Sequence, residues 1–167
     1  MSAAPPLPSD RLRARLRRRL DDDGSRLGFS ALGVTTPDRV PDLADDLAGF
    51  LAAGFHGTMG WMAETAERRA APRRLWPEVR SIVVVAFDYG PVGDALAGPM
   101  RPDRGVISAY ARNRDYHDVV KGKLKELAGG LVAEARRAGS SGDVKVFVDT
   151  APVMEKPLAA AAGLAWQ

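Results

Sequence analysis

The chain has 167 residues, 46% of them hydrophobic and 27% charged, with a formal net charge of +3. That is length enough for one domain with a real core, and the slight basic excess permits a polyanionic partner without requiring one. No cysteine is present and the only histidines are His56 and His117, which excludes a disulfide scaffold or thiolate metal centre and argues against a self-contained histidine site. No apolar run is long enough to span a bilayer, and the basic N-terminus lacks a signal-peptide core. A cytoplasmic protein that makes no use of a membrane is expected.

Residues 1–8 read as a disordered lead-in. With Ser9 or Asp10 as cap, Leu12, Leu16 and Leu20 at four-residue spacing predict a basic helix, ended by the run from Asp21 to Ser25. Arg11, Arg13, Arg15, Arg17, Arg18 and Arg19 cover its other faces. Such a run is usually a solvated face, and contact with RNA phosphates is the sharper alternative. Residues 29–35 predict a short strand. Pro41 then opens a helix with Leu43, Leu47, Phe50 and Leu51 on one face, and Gly54 sits where a left-handed C-terminal cap belongs.

A glycine-rich stretch and a basic stretch lead to residues 81–87, whose nearly continuous apolar run predicts a strand buried on both faces. Residues 89–105 read as a Gly- and Pro-rich loop, and 106–111 as strand or extended chain. Over 115–138, the spacing of Tyr116, Val120, Leu124, Leu127, Leu131 and Ala135 predicts a helix that Gly129 and Gly130 weaken. A turn at 139–142, a strand at 144–148 and a helix over 152–162 complete the chain. Residues 1–25 form a basic N-terminal segment, and 26–167 a single domain without internal repeat or boundary. The alternation of elements predicts an α+β fold of layered sheet and helices. The last residues, 164–167, follow directly on a helix and lack a polar tail, which reads as a truncation.

No phosphate loop, nucleophile elbow or dinucleotide fingerprint occurs, but three segments carry chemical interest. In VDTAPVMEK (148–156), Asp149 falls where a buried strand is expected to meet a helix. A carboxyl in such a cleft suits a general acid, and the plainer reading is that Asp149 and Thr150 cap the last helix. In ERRAAP (67–72) and the two arginines after it, guanidinium forks could hold a ligand's carboxamide, carboxylate or phosphate, or simply form an exposed basic turn. In ISAYARNRDYH (107–117), aromatic and basic side chains on an extended segment could bind a flat cofactor or a nucleic-acid loop. Alternatively, Tyr116 is core, Asp115 caps the helix and His117 is simply packed.

Taken in order, LGFSALGV, FLAAGFHGTMGWM, the ERR-x-x-P stretch, WPEVRSIVVVAFDY, ISAYARNRDYH and VFVDTAPVMEKPLAAAAGLAW resemble the epoxyqueuosine reductase family over residues 26–167. The resemblance implies the N-terminal, cobalamin-binding part of an oxidoreductase that converts epoxyqueuosine to queuosine at the wobble position of tRNA. It also implies a fold similar to the nitroreductase-like cobalamin domain of reductive dehalogenases. By the same resemblance Asp149 is the proton donor and also faces cobalamin. Arg69 (with Arg68 in place of the family's lysine) and Ser108, Ala109 and Tyr110 would touch the cofactor as well.

The family's [4Fe–4S] clusters need cysteine ligands, so they would lie in a missing C-terminal part, and the chain alone would be inactive. Its substrate partner would be tRNA carrying epoxyqueuosine, its electron donor is unspecified, and a monomer is expected. The two alternatives are a stand-alone cobalamin carrier, suggested by the absent cysteines, and a non-catalytic RNA-binding domain, suggested by the arginine-rich helix.

Overall fold

A computed structural model describes residues 9–90, 93–94 and 102–165. The expected lead-in at 1–8, part of the 89–105 loop and the last two residues lie outside the described residues. The chain divides into two compact units, Met1–Ser30 with Phe87–Val148, and Ala31–Ala86 with Asp149–Gln167. Each interleaves segments distant in sequence, so composition along the chain does not mark the division.

The first unit is a pair of helices, α1 (Asp10–Arg26) and α6 (Tyr116–Arg137). Ser9 caps α1 by accepting the Leu12 N–H at 3.3 Å. Leu12 and Leu20 are buried along α1, Leu27 and Phe29 just after it, and Val120 and Leu127 on α6. Each such side chain stabilises the unit by about 1.5–3 kcal/mol relative to exposure.

The expected break at 21–25 does not occur. Asp21 and Asp23 accept from arginines one turn earlier, Arg17 at 2.9 Å and Arg19 at 2.6 Å. Buried Asp23 also takes Arg26 at 3.2 Å, so carboxylates that read as helix breakers are paired and the helix runs through them. Across the seam, Arg15 pairs with Glu134 at 2.5 Å and Arg26 with Glu126 at 2.7 Å. Lys123 donates to the Leu27 carbonyl. Gly130 lies where a Cβ would run into the Arg19 and Asp23 side chains, so half of the expected weak point of α6 faces α1.

The second unit holds β1 (Ala31–Thr35) and β2 (Ile82–Ala86), antiparallel with Gly33 opposite Val84. Around them are α2 (Leu43–Ala52), α3 (Gly60–Glu64), α4 (Ala66–Arg69), α5 (Pro72–Leu75) and α7 (Glu155–Ala161). Helix α7 packs on both strands, and a Cβ on Gly33 would lie 2.5 Å from the Ala162 carbonyl oxygen. Leu43, Leu47, Val79 and Leu158 form the core. Arg73 braces it with a fork on Asp38, at 3.0 and 2.9 Å, and a bond to the Val79 carbonyl at 2.8 Å.

Four expectations are corrected here. Strand β2 is half-buried throughout rather than buried on both faces, because a ladder of two strands leaves edges open. Residues 144–148, expected as a strand, belong to no sheet among the described residues. Of 106–111, expected as strand or extended chain, Ala109–Ala111 form a 3-10 turn and 106–108 belong to no strand. Phe50 is not on the buried face of α2. It is 38% exposed and meets Phe55 edge-on at 5.7 Å. That contact belongs to the cap: Gly54, at φ 71°, lets Phe55 N–H reach the Phe50 carbonyl and its own N–H reach Leu51. Helices α1, α6 and α7 end with the same pair of bonds, around Gly28, Gly139 and Gly163.

Candidate active site

Asp149 stands at the start of the turn 149–154, with φ of 51°. The left-handed region is open to Asp at modest cost, and non-glycine residues held there cluster at functional sites. Asp149 is exposed and follows a segment that belongs to no strand, so the expected cleft at the end of a buried strand is not what holds it. Nor does it cap the last helix. That helix begins at Glu155 rather than near Pro152, and its N-cap, Met154, makes no side-chain capping bond.

What faces this turn is Arg69, at the end of α4. Its Nη1 donates to the Val153 carbonyl at 3.4 Å and its Nε to Thr65 Oγ1 at 2.8 Å. The Thr65 hydroxyl in turn donates to the Trp61 carbonyl at 2.7 Å. The Arg69 guanidinium carbon sits 4.8 Å from the centroid of the Trp61 ring, a cation–π contact. Residues 61, 65 and 69 thus carry a brace at helical spacing across two short helices. Of the arginines at 68, 69, 73 and 74, Arg69 alone is half-buried. Arg73 is a strut to Asp38, and Arg74 pairs loosely with Glu67 at 3.4 Å. Beside Arg69 lies a small apolar recess lined by Leu43, Pro72, Leu75, Pro152, Val153 and Leu158.

Glu155, in the first turn of α7, was not singled out from the sequence. Its residue as a whole is exposed, yet its carboxyl is held above the ordinary glutamate range. Partial loss of water is the main cause and the charge of Asp149 adds to it. The Glu155 N–H and Arg69 pull the other way.

Ser108, Ala109 and Tyr110 belong to the other unit. They enter the 3-10 turn at Ala109–Ala111, which Arg112 closes by donating to the Ile107 carbonyl at 2.7 Å. Ser108 and Tyr110 are exposed and Ala109 half-buried. The Tyr110 ring stands edge-on to Tyr89 at 6.4 Å and to Tyr116 at 6.2 Å, and Tyr116 stacks on His117 at 4.1 Å. Asp115 caps α6, accepting the His117 N–H at 2.9 Å and meeting its Nδ1 at 2.8 Å. These bonds hold the Asp115 carboxyl below its ordinary range, the backbone N–H most and the ring next.

The predicted residues therefore fall into two groups. Arg69 and Asp149 are in one unit, and Ser108, Ala109 and Tyr110 in the other. Tyr89, Trp61 and Glu155 were missed, although the 61–65–69 spacing is a signal that could have found Trp61. Most arginines of α1 are engaged with carboxylates of the same unit, which favours the solvated-face reading over RNA contact. Among the described residues no cluster could hold a metal ion, and no helix is long and apolar enough to cross a membrane.

The family model described as "Epoxyqueuosine reductase QueG, DUF1730" matches residues 69–150, a span holding both Arg69 and Asp149. Curated relatives carry the name epoxyqueuosine reductase. That of Pseudomonas aeruginosa is 34% identical over 154 residues, covering 92% of this chain and 41% of that protein. That of Xanthomonas campestris pv. campestris is 38% identical over 141 residues, covering 83% and 38%. That of Escherichia coli is 35% identical over 152 residues, covering 90% and 39%. The chain thus spans about two fifths of the length of the relatives it matches. No solved structure matches it significantly.

Proposed function

We propose that this chain, which belongs to the epoxyqueuosine reductase family, is the cobalamin-cradling part of a cytoplasmic oxidoreductase that reduces epoxyqueuosine to queuosine at the wobble position of tRNA. The observation that carries the reading is the turn at 149–154. There an exposed carboxylate on left-handed backbone shares a neighbourhood with a braced arginine, within a span related to reductases of that name.

The residues present suit a corrin in kind. Three of the five Arg69 N–H donors have no partner among the described residues and can meet carboxamide oxygens. In the other unit, Tyr110 and Ile107 expose apolar surface of the kind a flat ring can cover, and Ser108 is exposed as well. Cobalamin, when bound, supplies the electron-transfer chemistry at carbon. This chain's own work is to orient the epoxide, exclude water around it and deliver protons from the Asp149 carboxyl to the departing oxygen. A fold similar to nitroreductase-like cobalamin domains belongs to the same proposal. An iron–sulfur cluster does not fit this chain, which has no cysteine. The absent cysteines also favour a second reading, a cobalamin carrier without tRNA chemistry.

The test is Asp149→Asn, assayed for epoxyqueuosine reduction with an iron–sulfur electron source supplied. Reduction is expected to fall by roughly a hundredfold or more, while the visible spectrum of bound cobalamin stays unchanged. Normal turnover by the variant would remove Asp149 from the chemistry.

A further inference from the structure

The arginines of the 68–74 stretch are held in different ways. Arg73 forks onto Asp38 and Arg74 meets Glu67, so each of these charges faces a carboxylate of the chain. Arg69 is half-buried and held by neutral groups: the Thr65 hydroxyl at 2.8 Å, the Val153 carbonyl at 3.4 Å and the Trp61 ring at 4.8 Å. Glu155 feels its charge, but among the described residues the two form no ion pair. Neutral holders fix a guanidinium without neutralising it. An arginine that only staples two segments together gains more from a carboxylate, as Arg73 does.

We propose that Thr65 and Trp61 are positioning residues that hold Arg69 in place for the carboxamide oxygens of a bound corrin. The inference rests on the reading of Arg69 as a cobalamin contact and names the residues that make that contact effective.

The chain of bonds has a direction. Thr65 Oγ1 donates its one proton to the Trp61 carbonyl at 2.7 Å, which leaves its lone pairs to accept from Arg69 Nε. The backbone runs in parallel. Thr65 N–H reaches the same Trp61 carbonyl at 3.2 Å, and Arg69 N–H reaches the Thr65 carbonyl at 3.1 Å. Residues 61, 65 and 69 therefore keep helical register, although α3 ends at Glu64 and α4 begins at Ala66. The hydroxyl cannot turn away from Arg69 without giving up its own bond, and the Trp61 ring holds the guanidinium by its charge. What remains for a ligand is one N–H on Nη1 and both on Nη2. A long side chain already fixed in this way loses less freedom when a ligand arrives, so the brace acts on affinity through Arg69.

The brace is read first without any ligand, in the 167-residue chain, from the solvent exchange of arginine Nε–H groups by nitrogen-15 NMR. Arg69 Nε–H is expected to exchange more slowly than that of exposed Arg68 and to stay slow in Thr65→Ser. It should speed up in Thr65→Val, which keeps the shape of the side chain and lacks the hydroxyl. Equal exchange in Thr65→Ser and Thr65→Val overturns the brace. Hydroxocobalamin is then titrated by visible absorbance. Thr65→Val and Trp61→Leu are each expected to weaken binding by about two- to tenfold, the cost of ordering one long side chain, while Thr65→Ser stays close to the unmodified chain. In an Arg69→Ala background, Thr65→Val should weaken binding no further, because it acts through Arg69. An equal loss in that background, or no loss where Arg69 is present, overturns the positioning role. No binding by the unmodified chain, with Arg69 Nε–H still slow to exchange, would instead sink the cobalamin contact on which the proposal rests, and the proposal with it.

Discussion

Asp149 and Glu155 stand six residues apart and make different demands on their backbones. The φ of 51° at Asp149 is tolerated by Asp, Asn and Gly, whereas a β-branched residue there would add strain of about 1–2 kcal/mol. Asn is therefore the substitution that isolates the carboxyl's chemistry. Glu155 and Asp115 offer a complementary test, because their carboxyls are displaced in opposite directions. Glu155 binds its proton more tightly folded than unfolded, so its contribution is present in acid and lost as pH rises through the folded value. Asp115 binds its proton less tightly, so its contribution is present above the ordinary aspartate range and lost as pH falls. Glu155→Gln should accordingly raise the unfolding temperature at neutral pH, with the gain vanishing in acid. Asp115→Ala should lower it at neutral pH, and that deficit should shrink in acid. Thermal unfolding followed by circular dichroism across pH 3 to 8 reads both, and parallel curves for either variant would contradict the sign derived for it.

The two adjacent glycines of α6 differ because of what lies outside their helix. A Cβ on Gly129 meets nothing within 4 Å, whereas one on Gly130 runs into Arg19 and Asp23 of α1. Gly129→Ala should therefore stabilise by about 0.5–1 kcal/mol through backbone entropy and helix propensity. Gly130→Ala should destabilise by about 1–3 kcal/mol, as overpacking does, despite the same gain in propensity. Chemical denaturation of the two variants checks this, and equal effects would mean that the α1–α6 seam is looser than described.

The pair also shows what was legible in the sequence. Leucine spacing in α1, the aromatic and aliphatic spacing of α6 and the cap at Gly54 could be read, because one helix face or one turn sets them locally. The continuation of α1 through Asp21–Asp23 could not, since it depends on which arginines stand one turn earlier. Nor could the absence of 144–148 from the sheet, because an alternating apolar run suits a strand without specifying a strand partner. At the candidate site, Arg69 and Asp149 were singled out through motif order. Trp61 and Glu155 act by packing and field rather than by motif, and went unnoticed.

The whole chain shows less burial than its composition allows. Among the described residues no side chain is more than 98% buried, and the sheet has only two strands, an arrangement that is marginal unless something packs on it. Meanwhile Phe55 of one unit is 71% exposed, and Ile107 and Tyr89 of the other 65% and 62%, apolar surface on each unit that a ligand could cover. A ligand that covers part of this surface should then stabilise the fold by linkage. At a hundredfold excess over its Kd the gain is about 2.7 kcal/mol, or roughly 5–10 °C in unfolding temperature for a chain of this size. Hydroxocobalamin is the ligand to try, in the unmodified chain and in Arg69→Ala and Tyr110→Ala. A rise in unfolding temperature accompanied by a change in the visible spectrum would support corrin binding, and a variant that reduces it would implicate the residue it replaces. A rise that neither variant diminishes would place it elsewhere on the chain. No rise at millimolar hydroxocobalamin would mean that the chain does not hold cobalamin by itself.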